Sequence, residues 1–190
     1  MRVPYVLDPI PAASAADAAI VERLRLRRAP GKLLKLDRAL LHAPAVADGW
    51  NSFFGCIRER STLTDDIREL AICRVAVLTN AHFEWLQHAP LAEQAGLDIA
   101  ALKLDGEGLT AKQTAVLRYT DEMTKGIEVS DDIWLEIRNF FSDREVVELT
   151  ATIAAYNCCS RFLVALDIGG ENGKAEDDVY LQKDDDKKPY

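Results

Sequence analysis

The stretch Glu69-Leu-Ala-Ile-Cys-Arg-Val-Ala-Val-Leu-Thr-Asn80-Ala-His82-Phe-Glu84-Trp85-Leu-Gln-His88 is the densest set of polar groups in an otherwise apolar region. Upstream of it, Thr64 followed by Asp65 and Asp66 puts a capping hydroxyl and two carboxylates at a helix start, where orphan amides and the positive end of the dipole lie. A helix from there to about Thr79 and a second from His82 to Ala95, closed by Gly96, make a helical hairpin. Pro90 inside the second predicts a kink or a break.

Outside the hairpin, β-branched and aromatic residues nowhere alternate with polar ones over more than a few positions, whereas helical spacing recurs, so the fold class expected is all-α. Ser14 caps a helix to about Arg28, Lys32 to His42 reads as a second, and Ala45 to Arg58 as a third. Thr110-Ala-Lys-Gln113 and Ser142-Asp-Arg-Glu145 both fit the capping box. The latter opens a long apolar helix, Val146 to Asp167, ended by Gly169-Gly170, and between the two boxes Ser130 caps a short helix containing Trp134 and Phe140. This divides the 190 residues into an N-terminal extension, 1–13, a single all-α domain, 14–170, and an acidic, flexible tail, 171–190. The tail holds seven acids against four lysines, so it carries -3 of the net -8.

That acidity, with a pI near 4.9, removes the electrostatic footprint of a nucleic-acid binder and disfavours an anionic membrane surface. No apolar run is expected to reach spanning length, since even Ala71 to Leu78 is interrupted by Arg74, and the N-terminus lacks a signal peptide's apolar segment. A soluble, cytoplasmic protein is the expectation. Cys56, Cys73, Cys158 and Cys159 show no CxxC spacing and read as structural thiols.

Chemistry centres on Glu69, Glu84 and His88. Glu84 and His88 are one helical turn apart on one face, within reach of a hydrogen bond, with Trp85 beside them, and such a pair can share a proton. A neighbouring carboxylate favours the imidazolium while burial disfavours charge on either group, and these opposed effects can place a pKa near neutral, as acid–base work requires. Glu69 faces the same way as Cys73 and Ala76, so as a buried acid it needs a partner across the hairpin, and His88 is the candidate. A metal site is not expected: His82 lies about 120° around the helix from His88 and about 160° from Glu84, so the three do not converge.

These residues carry a resemblance. Glu69, then Asn80-Ala-His-Phe-Glu84-Trp85 with His88, Ala92 and Gly96, resembles the signature of the carboxymuconolactone decarboxylase family, within the alkylhydroperoxidase D-like superfamily. Ala155-Tyr156-Asn157-Cys-Cys-Ser-Arg161-Phe162-Leu-Val-Ala-Leu166-Asp is similar to the last long helix of its larger members. The resemblance spans most of 35–168. It implies an alkylhydroperoxidase D-like helical bundle built around the hairpin, protomers assembled as trimers or hexamers, and a cofactor-free pocket near the hairpin. The peroxidase branch places a CxxC where this chain has Ala81 and Glu84, so dithiol peroxide reduction is not expected. The decarboxylase branch implies a lyase acting by acid–base groups on a small carboxylated lactone or β-keto acid. In that scheme His88 supplies a proton, Glu84 is its proton partner, Glu69 orients the imidazole, Phe83 and Trp85 exclude water with His82 at the rim, and Asn157 and Arg161 hold substrate. The alternatives are thiol peroxidase-like activity of the same superfamily through other cysteines, and a non-catalytic binding or assembly protein of the same fold.

Overall fold

The computed structural model describes residues 1–28, 30–103, 106–170 and 172, and among them every regular element is a helix. The acidic tail lies outside the described residues except for Asn172. Contacts divide the chain into two compact units.

The first unit holds residues 1–60 with Leu166–Gly170. It comprises α1 (Ala15–Arg27), α2 (Lys35–Leu40) and α3 (Pro44–Glu59), with α3 packed on the other two. Ser14 caps α1 by accepting from the Asp17 amide at 3.1 Å. Helix α2 is shorter than Lys32–His42: Leu34 is extended, and its amide is taken by the Asp37 carboxylate at 2.8 Å, which sets the start at Lys35. The segment before α1 is tied down through Val6 N–H to the Arg38 carbonyl (3.1 Å), Arg38 Nε to the Val6 carbonyl (2.8 Å) and the Arg25–Asp8 ion pair (2.6 Å).

Arg28 and Asp37 form a bidentate pair at 2.9 and 2.8 Å, with side chains only 8% and 5% exposed. Removing one partner of such a pair leaves an uncompensated buried charge, so Arg28→Ala is expected to lower stability by about 3 to 5 kcal/mol, read by urea unfolding. A loss under about 1 kcal/mol would show that Asp37 is solvated in the folded chain.

The second unit, Ser61–Ala165, carries the hairpin: α4 (Asp65–Leu78) and α5 (His82–Gln94), followed by α6 (Ile99–Lys103), α7 (Ala111–Lys125), α8 (Asp131–Arg138) and α9 (Asp143–Leu166), the last residue of which falls in the first unit. Helix α4 is central, packing on α5, α6 and α7. Ile67 and every residue from Glu69 to Ala76 is buried, so α4 is apolar on all sides and its few polar groups must be paired inside. Arg74 meets this demand with Asp121 (2.6 and 2.8 Å) and the Leu102 carbonyl (2.9 Å).

The hairpin turns at Asn80, which takes a left-handed φ of 53°, a conformation asparagine tolerates better than most side chains, and the Ala81 amide closes back on the Ala76 carbonyl at 2.9 Å. Pro90 does not end α5, because packing on α4 and α6 outweighs one missing amide bond. Both capping boxes form, Thr110 with Gln113 and Ser142 with Glu145. Thr64 and Ser130 precede their helices but make no side-chain cap bond. Ser130 instead gives its amide and hydroxyl to Glu122 (2.7 and 3.0 Å), tying α8 to α7, and Phe140 lies beyond the end of α8. The short α6, absent from the sequence reading, starts where Asp98 accepts from the Ala100 amide at 2.9 Å.

Helix α9 corrects one expectation, since by length and composition it is apolar enough to cross a membrane. All its charges except Arg161 are gathered in the first two turns, and the run from Ala71 is not the longest apolar stretch. Tyr156, Asn157 and Ser160 on α9 nonetheless spend their hydrogen bonds on side chains of α5 and α7.

Candidate active site

Helix α4 presents Glu69 toward α5, where His88 answers it: His88 Nδ1 stands 2.7 Å from Glu69 Oε2, with the side chains 8% and 2% exposed. The other carboxylate oxygen, Oε1, accepts from Arg68 Nε at 3.3 Å. On the far side of the imidazole, Tyr156 Oη lies 3.2 Å from Nε2, and the two rings meet edge to face with centroids 5.1 Å apart. A carboxylate accepts only, so the network assigns the imidazole proton to Nδ1 and leaves Nε2 to accept the phenol proton.

Glu84 forms a second arrangement one turn away. Its Oε1 accepts from Ser160 Oγ at 2.9 Å, and its buried Oε2 makes no hydrogen bond. Burial pushes this carboxyl up to about 8, with the Ser160 hydroxyl and the Cys159 thiol drawing it partly back. A carboxyl so placed is mostly protonated at neutral pH, and the atom without an acceptor is available to donate. Glu84 and His88 are four apart on α5, and Ser160 and Tyr156 are four apart on α9, so the two helices meet through two polar rungs about 6 Å apart.

The expected Glu69–His88 pair is therefore present, while the expected Glu84–His88 bond is not: among the described residues Glu84 is bonded to Ser160, and both imidazole nitrogens are engaged elsewhere. Trp85 is buried, with the Lys103 ammonium 5.3 Å from its ring centroid, and His82 and Phe83 are half-buried at the start of α5. Asn157 donates to Thr124 Oγ1 (2.9 Å) and the Ile153 carbonyl (3.1 Å), and exposed Arg161 donates to the Asn157 carbonyl (3.0 Å) and Oδ1 (2.8 Å). Arg161 sits about 140° around α9 from Tyr156, which keeps the guanidinium out of this cluster. A cavity of about 550 Å³ lined by Asp121, Glu122, Lys125, Glu128 and Ser130 takes in none of these hairpin residues. Among the described residues no group of three or more His, Cys, Asp or Glu side chains is placed to hold a metal ion.

Tyr156, Ser160 and Arg68 were not read as site residues. Tyr156 and Ser160 had a signal, two hydroxyls four apart on an apolar helix, matching the spacing of Glu84 and His88.

The sequence matches no family profile and no curated protein. Solved structures do resemble it. The alkylhydroperoxidase D core of an uncharacterised peroxidase-related protein from Ralstonia eutropha JMP134 superposes with a TM-score of 0.74 at 16% identity, covering 95% of each chain. The fold is alkylhydroperoxidase D-like. A peroxidase-related protein from Silicibacter sp. TM1040 gives a TM-score of 0.72 at 17% identity, covering 87% of this chain and 91% of that one. A debrominase in complex with 2,3,4-tribromopyrrole gives 0.67 at 15% identity, covering 87% and 92%. Enzymes thus occur on this fold, and the resemblance read from the hairpin holds at that level.

Within this alkylhydroperoxidase D-like chain, all four cysteines are free thiols. Cys73 is raised well above the ordinary thiol range, first by burial and then by the charges of Glu69 and Glu84. A thiol held protonated is a poor nucleophile, so this part of the hairpin disfavours thiolate chemistry.

Proposed function

We propose that the protein is a cofactor-independent acid–base enzyme of the carboxymuconolactone decarboxylase type, acting on a small carboxylated lactone or β-keto acid. The observation that carries the reading is the pairing, one helical turn apart, of a buried Glu69–His88 couple with a carboxyl, Glu84, that burial keeps protonated. Loss of CO2 from such a substrate leaves an enolate, which needs a donor to disperse its charge and an acid to protonate carbon. Glu84 Oε2 suits the first task and the imidazole couple the second. Phe83, Trp85 and His82 would limit water at the start of α5, whereas Asn157 and Arg161, bonded to each other on another side of α9, would serve only a substrate that reaches round from the seam. The same groups would serve an isomerisation, dehydration or cyclisation, each of which moves a proton next to a carbonyl.

The working unit in this reading is a cytoplasmic homo-oligomer, a trimer or hexamer, and light scattering on the purified chain is expected to give a mass of about three or six times 21.1 kDa. A monomeric mass would remove that part. The activity is tested by CO2 release and mass change across a panel of carboxylated lactones and β-keto acids. Turnover is expected to fall about 10²-fold or more in His88→Ala. Full turnover in that variant would dispose of the mechanism. The deep burial of Glu69, Glu84 and His88 favours one other reading, a binding or assembly protein without turnover, and an inert panel with intact oligomers would favour it.

A further inference from the structure

Helix α9 has two faces. The inner one is centred on Tyr156, and on the opposite side Val147, Ala154, Cys158 and Arg161 are exposed and Ala151 is half-buried. These five fall within about 80° of one another around the helix. Only 44% of the most apolar 18-residue window of α9 is buried, and Val147 is 68% exposed. The five follow one another at spacings of four, three, four and three residues, the heptad spacing with which one helix packs along another. Ala151, Ala154 and Cys158 are small enough to let a second helix axis approach to about 8 Å. We propose that this face packs on the same face of α9 in a second copy of the chain, the two helices antiparallel about a two-fold axis.

The charges of α9 select this occupant and its direction. The first two turns carry Asp143, Arg144, Glu145 and Glu148, a sum of 1 minus 3, or -2, and Arg161 is the single charge in the rest of the helix. A parallel copy sets like ends together, whereas an antiparallel copy sets Arg161 against the acidic end of its partner, and symmetry makes that contact twice. With Ala154 opposite Cys158 of the second copy, Arg161 lies opposite Ala151 and within about one turn of Glu148. A lipid surface is a poorer match, because it would take in Arg161 without a counter-charge. The strip itself, roughly 20 Å by 10 Å, is small against the about 800 Å² per partner of a stable pair. It is extended at the Val147 end by α8, where Trp134 is 42% and Leu135 60% exposed. Arg138 joins the two parts, lying 5.9 Å from the Trp134 ring centroid and pairing at 2.5 Å with Asp143, one turn before Val147. A two-fold contact makes the number of protomers even. It therefore selects the hexamer over the trimer in the oligomer proposed above, and it rests on none of the acid–base chemistry.

Cys158 lies on the proposed seam and gives the first test, since it and Cys56 are the two exposed thiols. In the antiparallel pair the two Cys158 side chains stand about 10 Å apart. In the full chain carrying Cys56→Ser, a short bismaleimide is expected to join two chains through Cys158, and adding Cys158→Ser is expected to abolish the product. A chain left unjoined by the reagent would overturn the pairing.

The second arm is mass by light scattering. The unsubstituted chain is expected at an even multiple of 21.1 kDa. Ala154→Arg places a long cation in the middle of the seam on a residue that is exposed within its own chain, so the mass is expected to halve with helical content unchanged. Leu26→Arg, on the 85% exposed Leu26 of α1, is expected to leave the mass as it was. A monomeric or trimeric mass, or an even mass that Ala154→Arg does not halve, overturns the contact. A dimeric mass halved by Ala154→Arg keeps the contact and removes the hexamer, which separates this inference from the oligomer proposed above. Sedimentation of the chain with phosphatidylcholine vesicles would give the face to lipid and overturn the proposal.

Discussion

Glu84→Gln removes a pH dependence of stability of about 4 to 5 kcal/mol, because the buried carboxyl titrates near 8 in the folded chain and near 4.5 when exposed by unfolding. Between these values the folded chain keeps a proton that the unfolded chain has released. The unfolded state therefore binds fewer protons, and stability falls as pH rises. The contribution is fully present below about pH 4.5 and is gone above about pH 8. Glutamine offers the same shape and still accepts from Ser160, and its amide occupies the place of an O–H that already lacked an acceptor. Urea unfolding at pH 5 and pH 8.5 is the measurement: the unsubstituted chain loses stability between the two, and the variant loses less by that amount. Equal losses would mean that Glu84 is ionised in the folded protein. In the same variant the proposed activity falls by less than the about 10² to 10³-fold of losing an oxyanion donor outright, since the glutamine amide still donates but is far less acidic than a carboxyl.

Glu69→Ala has the second large effect. It leaves His88 Nδ1–H without its acceptor and removes the partner of Arg68 Nε, both within the packed second unit. Breaking a buried pair from one side costs about 3 to 5 kcal/mol. Glu69→Gln keeps an acceptor for Nδ1–H and is expected to cost less, about 1 to 2 kcal/mol. A double-mutant cycle of Glu69→Ala with His88→Ala is expected to be non-additive, with a coupling of about 1 to 3 kcal/mol. Additivity within about 0.5 kcal/mol would mean that the two side chains do not share a bond in solution.

Much of the fold is local in origin and so was legible. Thr110 with Gln113 and Ser142 with Glu145 announce helix starts because a capping box is closed within four residues. Where reading failed, a distant partner had intervened: Asp37 trims α2 while pairing with Arg28, and Glu122 takes the amide and hydroxyl that Ser130 would have used as a cap.

The site divides along the same line. That Glu69 would need His88 followed from an acid on a face otherwise made of small or apolar residues such as Cys73 and Ala76, since a carboxylate without a partner is too costly to bury. That Glu84 and His88 share a face of α5 followed from their spacing. Which residues they meet was not contained in that spacing, because it depends on the rotation of α9 about its axis. Leu149, Ile153, Tyr156 and Leu163 are among the side chains that α9 buries, and that orientation brings Tyr156 and Ser160 onto the seam while leaving Arg161 exposed. The sequence alone determined most of the elements, the acid that must be paired and its partner; the packing of α9 against the hairpin decided that Glu84 answers to Ser160 and His88 to Tyr156, because two residues on one helix are bonded only if no better partner is pressed against them.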